Sequence, residues 1–270
     1  MRELLEVIEK RGRRDLKEAS ESLSKQEVRY LVDTYYMMQE DRIRAAAQIR
    51  AMSETGEPHS VLEWLLEQSQ ILEDQIKLAL DVYTMFDPVG KWSRSIKGIG
   101  PVISAGLLAH IDITRAPTVG HIWRYAGLDP TVKWGKGQKR PWNARLKVLC
   151  YKIGESFVKV KNRGSFYGEV YAERKALEQQ RNEALEFKDQ AEQALQEKNY
   201  GKDTDAYKWY KKGMLPPARI HARARRYAVK LFLSHWHHIA YLNHYGEEPP
   251  LPYPIAIQGH AHYISPEEAK

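Results

Sequence analysis

The chain has 270 residues, 43% of them hydrophobic and 29% charged, enough for one large or two modest helical units around a sizeable core and unlike the composition of a disordered protein. Its single cysteine, Cys150, excludes an internal disulfide and leaves no thiolate set for a structural zinc site. No apolar run approaches the ~20 residues that cross a bilayer. The first turns, Met1, Arg2, Glu3, Leu4, Leu5 and Glu6, mix charges of both signs where an export signal needs an apolar stretch. A cytoplasmic, nucleoid-associated protein with no membrane partner is expected.

Residues 1–90 are dominated by Glu, Lys, Arg, Leu, Ala and Gln, the strong helix formers. Val28, Leu31, Val32 and Tyr35 recur at helical spacing before Gly56 and Pro58 interrupt the run. A second helix from about Ser60 carries Leu62, Leu65, Leu66, Ile71 or Leu72, and Ile76 near one broad face, and ends before Asp87 and Pro88. The pair reads as a helical hairpin that packs or dimerises.

Residues 91–168 open with a punctuated segment (Gly98, Gly100, Gly106, Pro117, Gly120, Gly127, Pro130) that predicts short helices and tight turns. A basic loop over 131–143 follows. Next comes a helix over 144–160, with Leu146, Leu149, Cys150, Ile153, Phe157 and Val160 on one stripe, which makes Cys150 a core residue rather than a nucleophile.

Residues 169–215 form a charged arm in which Val170, Leu177, Ala184 and Ala191 are spaced by sevens, a thin heptad signal for a protruding helix or one arm of a coiled hairpin. Residues 216–247 hold a basic helix from Pro217 to about Leu242, packing on the core. The segment 248–270 contains five prolines and is expected to be extended. The predicted fold class is all-α, a helix-hairpin-helix core with long charged helices.

The net charge of +7 is unevenly spread. Residues 131–163 carry ten bases against one acid, Glu155, and residues 208–230 carry eight bases and no acid, which leaves the rest of the chain at −10. Two basic segments in an otherwise acidic protein point to a polyanion, because Lys and Arg at phosphates release condensed counterions.

The sharpest local motif is Ile96, Lys97, Gly98, Ile99, Gly100, Pro101. Apolar-x-Gly-apolar-Gly between two helices predicts a hairpin whose glycines allow φ > 0, whose backbone N–H groups face a phosphate, and whose Lys97 adds a point charge. In the basic loop, Lys133, Lys136, Lys139 and Arg140 alternate with Trp134 and Trp142. Such a loop follows a phosphate backbone while a ring stacks on a base, or both rings anchor it to the core; anchoring is favoured for Trp142, and Trp134 is left open. Arg145 extends the track. Arg219, Arg223, Arg226 and Lys230 step by four, three and four, so one helix face carries four cations with no local acid to relieve them. His235, His237, His238 and His244 have no nearby thiol or carboxylate, so no metal or cofactor is expected.

The blocks Gly98-Ile-Gly-Pro-Val-Ile-Ser-Ala-Gly-Leu-Leu-Ala-His-Ile, Trp123-Arg-Tyr-Ala-Gly-Leu-Asp-Pro and Asn143-Ala-Arg-Leu-Lys resemble the C-terminal half of the bridge-RNA-associated insertion-sequence transposases, over about Lys91 to Lys161 and again near Arg219. The resemblance implies a helical transposase domain that partners DNA and a structured RNA. In full-length members it is joined to an N-terminal RuvC-like domain with four acidic residues. It also implies a nucleophilic serine soon after the Gly-Leu-x-Pro block, yet between Pro130 and Ser156 the only Ser or Thr is Thr131. The first 90 residues show no strand pattern on which to mount an acidic tetrad.

The expected function is therefore a transposase-like protein that grips duplex or branched DNA by its backbone, with no catalytic residues assigned and no autonomous catalysis. RNA is a further partner, and a homo-oligomer would form through the helical arms. The competing expectations are a recombination enzyme subunit or metal-dependent nuclease using Asp112 and Asp129, and a helical assembly protein.

Overall fold

The computed structural model describes residues 14–256 and 263–269. It is 71% helical with no strand among the described residues, so the fold is all-α. After a helical stretch at 14–20, the helices are α1 (Lys25–Thr55), α2 (Ser60–Phe86), α3 (Pro88–Ser95), α4 (Pro101–His110), α5 (Val119–Tyr125), α6 (Ala144–Val160), α7 (Phe166–Glu183), α8 (Lys188–Glu197), α9 (Asp205–Lys211), α10 (Pro217–Tyr245) and α11 (Tyr253–Ala256). None is long and apolar enough to cross a membrane. The chain divides into two compact units.

The first unit comprises the chain up to Ser95, Ile99–Arg115 and Ile239–Gly246. Helix α1 starts at a capping box: Ser24 Oγ accepts from the Glu27 N–H (3.2 Å), and the Ser24 N–H donates to the Glu27 carboxylate (2.8 Å). Val28 and Val32 of α1 pack with Leu80 of α2 and with Val102, Ala105 and Ala109 of α4. Arg42 of α1 holds the buried Glu73 of α2 at 2.6 Å. Asp87 accepts from the Val89 and Gly90 N–H groups, which stops α2 where the sequence predicts and starts α3.

The second unit comprises Ile96–Gly98, Ala116–His238 and Glu247–Lys270. Asn143 caps α6 by accepting from the Leu146 N–H (2.9 Å). The predicted stripe of Leu146, Leu149, Cys150, Ile153 and Phe157 is buried, and burial pushes the Cys150 thiol up to about 12. Phe157 stacks on Tyr167 of α7 (4.9 Å), and Phe232 of α10 meets both rings edge-on.

Two local expectations are corrected. The charged arm is not one helix: Leu185 takes φ 60, and α8 restarts at Lys188 so that Phe187, Ala191 and Ala194 pack on Tyr210, Leu215 and Ile220. The tail is not wholly extended, since α11 and a turn at 266–269 interrupt it; residues 257–262 lie outside the described residues.

Candidate nucleic-acid interface

The hairpin joins α3 to α4 through Ile96, Lys97, Gly98, Ile99 and Gly100, with Ile96 and Ile99 buried and Lys97 exposed. Only one of its glycines needs the left-handed region. Gly98 has φ +101, and a Cβ there would lie 3.2 Å from both Ser156 Oγ and Val160 Cγ2. Gly100, in contrast, has φ −86 and ψ 175 as the N-cap of α4, with open space around it. Pro101 occupies the first helical turn, as the sequence predicts.

The carbonyls of the turn are held by serines of the second unit. Ser156 Oγ donates to the Gly98 carbonyl (2.5 Å) and Ser165 Oγ to the Lys97 carbonyl (3.3 Å). Lys97 Nζ donates to the carbonyl of Arg163, just past the end of α6. The hairpin residues of this unit are thus fixed to the C-terminal end of α6.

A second cationic locus gathers at the other end of that helix. Lys133, Lys136, Lys139, Arg140 and Arg145 are all exposed. Arg140 lies over the Trp134 ring (5.1 Å), and Lys147 lies over the Trp142 ring (4.0 Å). Trp142 is the anchor expected: Gly127, at φ +65, leaves the space that a Cβ would fill at 2.8 Å from Trp142 Cγ. Trp134 remains 43% exposed.

Burial, then the charges of Arg140 and Arg226, lowers the Lys147 pKa, so these three cations from the loop, α6 and α10 share one electrostatic neighbourhood. Partial desolvation, then Arg223, Arg219 and Arg225, lowers that of Arg226. Lys230 sits over the Trp123 ring (4.1 Å), with its pKa lowered by burial and opposed by Asp129. At 1.5 Å rise per residue, Lys147 and Ser156 are about 14 Å apart along α6, so the turn and the loop cluster are separate points on one helix.

The cationic stripe of α10 is not the single open face its spacing suggests. Arg223 donates to Glu178 of α7 (2.7 Å) and to Gln190 (3.3 Å), and lies over the Phe187 ring (4.4 Å). Arg219 donates to the Tyr210 hydroxyl (3.2 Å). Arg226 shares the electrostatic neighbourhood of Lys147, and Lys230 lies over Trp123 near Asp129. Arg225 pairs with Glu155 and lies over Tyr151 (4.1 Å). Glu178 is 1% exposed; burial raises its pKa, but the hydrogen bonds from Arg223 and Arg174 outweigh that and hold it below the usual carboxylate range.

Sequence reasoning counted Lys147 among the basic residues but not in the site, because nothing in its spacing signals its approach to Arg226. Trp123 beneath Lys230 was missed for the same reason.

The alternative chemical groups are engaged locally. Asp112 accepts from the Thr114 N–H and hydroxyl, and Asp129 from the Thr131 N–H and hydroxyl. The threonine hydroxyl bonds, opposed by burial at Asp112, lower both carboxyl pKa values. His235 donates from Nε2 to the Ile264 carbonyl (2.9 Å) and accepts at Nδ1 from the Tyr167 hydroxyl (2.7 Å), and burial pulls its pKa down to about 4. His237 donates to the Ala116 carbonyl (2.8 Å), and His238 faces Glu248 (3.1 Å) and the Tyr263 hydroxyl (3.3 Å). No group of three or more metal-ligating side chains forms among the described residues.

Compared with known families, residues 93–155 match the Transposase IS116/IS110/IS902 family. That stretch holds the hairpin, the Tyr125 to Pro130 block, the basic loop and most of α6. It is consistent with the C-terminal transposase half of that family, and it nearly coincides with the span over which the sequence resembles it. No curated protein and no solved structure matches the chain.

Proposed function

We propose that the protein is a transposition-related DNA-binding protein that grips duplex or branched DNA through the phosphate backbone and does not cut it unaided. The observation that carries this reading is the convergence of Arg140, Lys147 and Arg226. Among the described residues none of the three makes an ion pair, and partial burial, followed by the charges of the other two, lowers the Lys147 pKa. A bound phosphate backbone relieves that mutual repulsion. Exposed Lys133, Lys136 and Lys139 extend the track along the loop and Lys230 along α10. Lys97, at the turn, supplies a second contact point beside the other end of α6.

The match of residues 93–155 to a transposase family supports a role at mobile DNA. The missing serine and the local turns that hold Asp112, Asp129 and Thr131 support the absence of unaided strand cleavage. The test is a binding titration of labelled duplex and four-way-junction DNA against salt. Each of Arg140→Ala, Lys147→Ala and Arg226→Ala should flatten the slope of log affinity on log salt by about 0.9 per lost duplex phosphate contact. An unchanged affinity and slope in the triple variant would remove this surface from the reading. Magnesium-dependent cleavage by the isolated chain would overturn its non-catalytic part.

A further inference from the structure

The loop at 134–140 is closed on itself and presents one ring. The Trp134 indole N–H donates to the Gln138 carbonyl (2.8 Å), the Gly135 N–H donates to the Gln138 side-chain oxygen (3.1 Å), and the Gln138 N–H returns to the Gly135 carbonyl (3.2 Å). Trp142 meets Trp134 edge-on at 6.1 Å and 67°, while Arg140 covers part of one face. These contacts fix the indole plane without burying it, since 43% of the residue stays exposed. Anchoring does not explain such a ring, because Trp142 already supplies it against Gly127.

Beside it lies an open depression walled by Tyr125 and Trp142 and rimmed by Lys139 and Arg140. Tyr125 is itself 44% exposed, with its hydroxyl accepting from Asn143 Nδ2 (2.9 Å). A rigid aromatic plane, a second exposed ring and three cations within six residues (Lys136, Lys139 and Arg140) are the chemistry of a stacking platform on a charged track.

We infer that Trp134 stacks on one unpaired base of the bound strand, so that the protein prefers DNA with a bulged, junction or single-stranded nucleotide over a fully paired duplex. The inference rests on the backbone-binding reading above and narrows its substrate. A paired duplex keeps its bases stacked on each other and offers the ring nothing. An unpaired base offers a free π face, while the phosphates on either side of it meet Lys136, Lys139 and Arg140. Because every base has such a face, the preference is for exposure rather than sequence.

The experiment uses the full chain with two matched DNA duplexes, one fully paired and one carrying a single bulged 2-aminopurine. Wild type should bind the bulged duplex more tightly and quench the 2-aminopurine emission by stacking. Trp134→Ala should lose roughly 5- to 150-fold on the bulged duplex, abolish the quenching and leave the paired duplex and its salt slope unchanged. Trp134→Phe, which keeps a ring, should retain most of both effects. The same bulge in an RNA duplex tells the source of the base apart: a smaller Trp134-dependent loss there supports DNA as the ligand, and a larger one overturns that choice. Equal wild-type affinity for bulged and paired DNA, or a bulge affinity indifferent to Trp134, overturns the inference alone if the paired duplex still binds with a steep salt slope. Failure to bind either duplex overturns the backbone reading with it.

Discussion

Arg223 and Glu178 form an ion pair at 2.7 Å between α10 and α7, and the carboxylate is almost wholly sealed from solvent. Glu178 also receives Arg174 at 2.6 Å, so one buried negative charge is shared by two arginines. Removing a single partner from such a group costs more than the pair itself contributes, because the remaining charge stays buried. Arg223→Ala should destabilise the protein by about 1.5–3 kcal/mol, the worth of a hydrogen bond to a charged group. Glu178→Ala, which strands both arginines, should cost about 3–5 kcal/mol. Urea denaturation measures both. Arg223→Ala should leave the salt slope of DNA binding unchanged in the folded protein, and a flattened slope would return Arg223 to the binding surface.

The two hairpin glycines should respond unequally to substitution. Gly98→Ala forces a left-handed φ on an L residue, at about 1–2 kcal/mol, and brings its Cβ to 3.2 Å from Ser156 Oγ and Val160 Cγ2. Gly100→Ser places a good N-cap residue at an extended backbone with free space around it, and should change stability by only a few tenths of a kcal/mol. Thermal melts of the two variants make the comparison. Equal losses at both positions would show that Gly100 is constrained by something other than its dihedral angles.

Stability should fall on acidification below neutrality. His235 is buried and neutral in the fold, with its pKa lowered to about 4, against 6.5 for the free side chain. Its contribution is fully present above 6.5 and is lost as pH falls toward 4, because the unfolded chain binds the proton first. Burial lowers the His237 pKa in the same sense. Between pH 6.5 and 5 the His235 share is about 2 kcal/mol. Denaturant titrations at pH 7.5 and 5 should show this difference, and His235→Gln should shrink it. An undiminished difference in that variant would assign the acid sensitivity elsewhere.

Sequence patterns located the elements whose information is local. The stripe from Leu146 to Phe157 and the Asn143 cap delimit α6 as predicted, and Asp87 with Pro88 marks the end of α2. The break at Leu185 was not legible, because the heptad spacing of Val170, Leu177, Ala184 and Ala191 continues through it. What turns the chain is the packing of Phe187 on residues from beyond 200. The site divides in the same way. The exposed lysines of the loop follow from their charge run, whereas the acids that engage Arg223 and Arg225 come from 45 and 70 residues away. A helical wheel of α10 sees four cations and no acid; only the tertiary fold supplies Glu178.

The contrast between the exposed loop cations and the half-buried Lys230, which lies over the Trp123 ring, has a kinetic consequence. On the proposed reading, a strand arriving from beyond the Debye length of about 8 Å is drawn first by the exposed loop lysines Lys133, Lys136 and Lys139. Lys230 acts only after water has been displaced around it. Neutralising the three loop lysines should therefore slow association, chiefly at low salt, whereas Lys230→Ala should shorten the lifetime of the complex with little effect on how fast it forms. Stopped-flow traces separate the two, and a loop variant that changed only the dissociation rate would contradict this division.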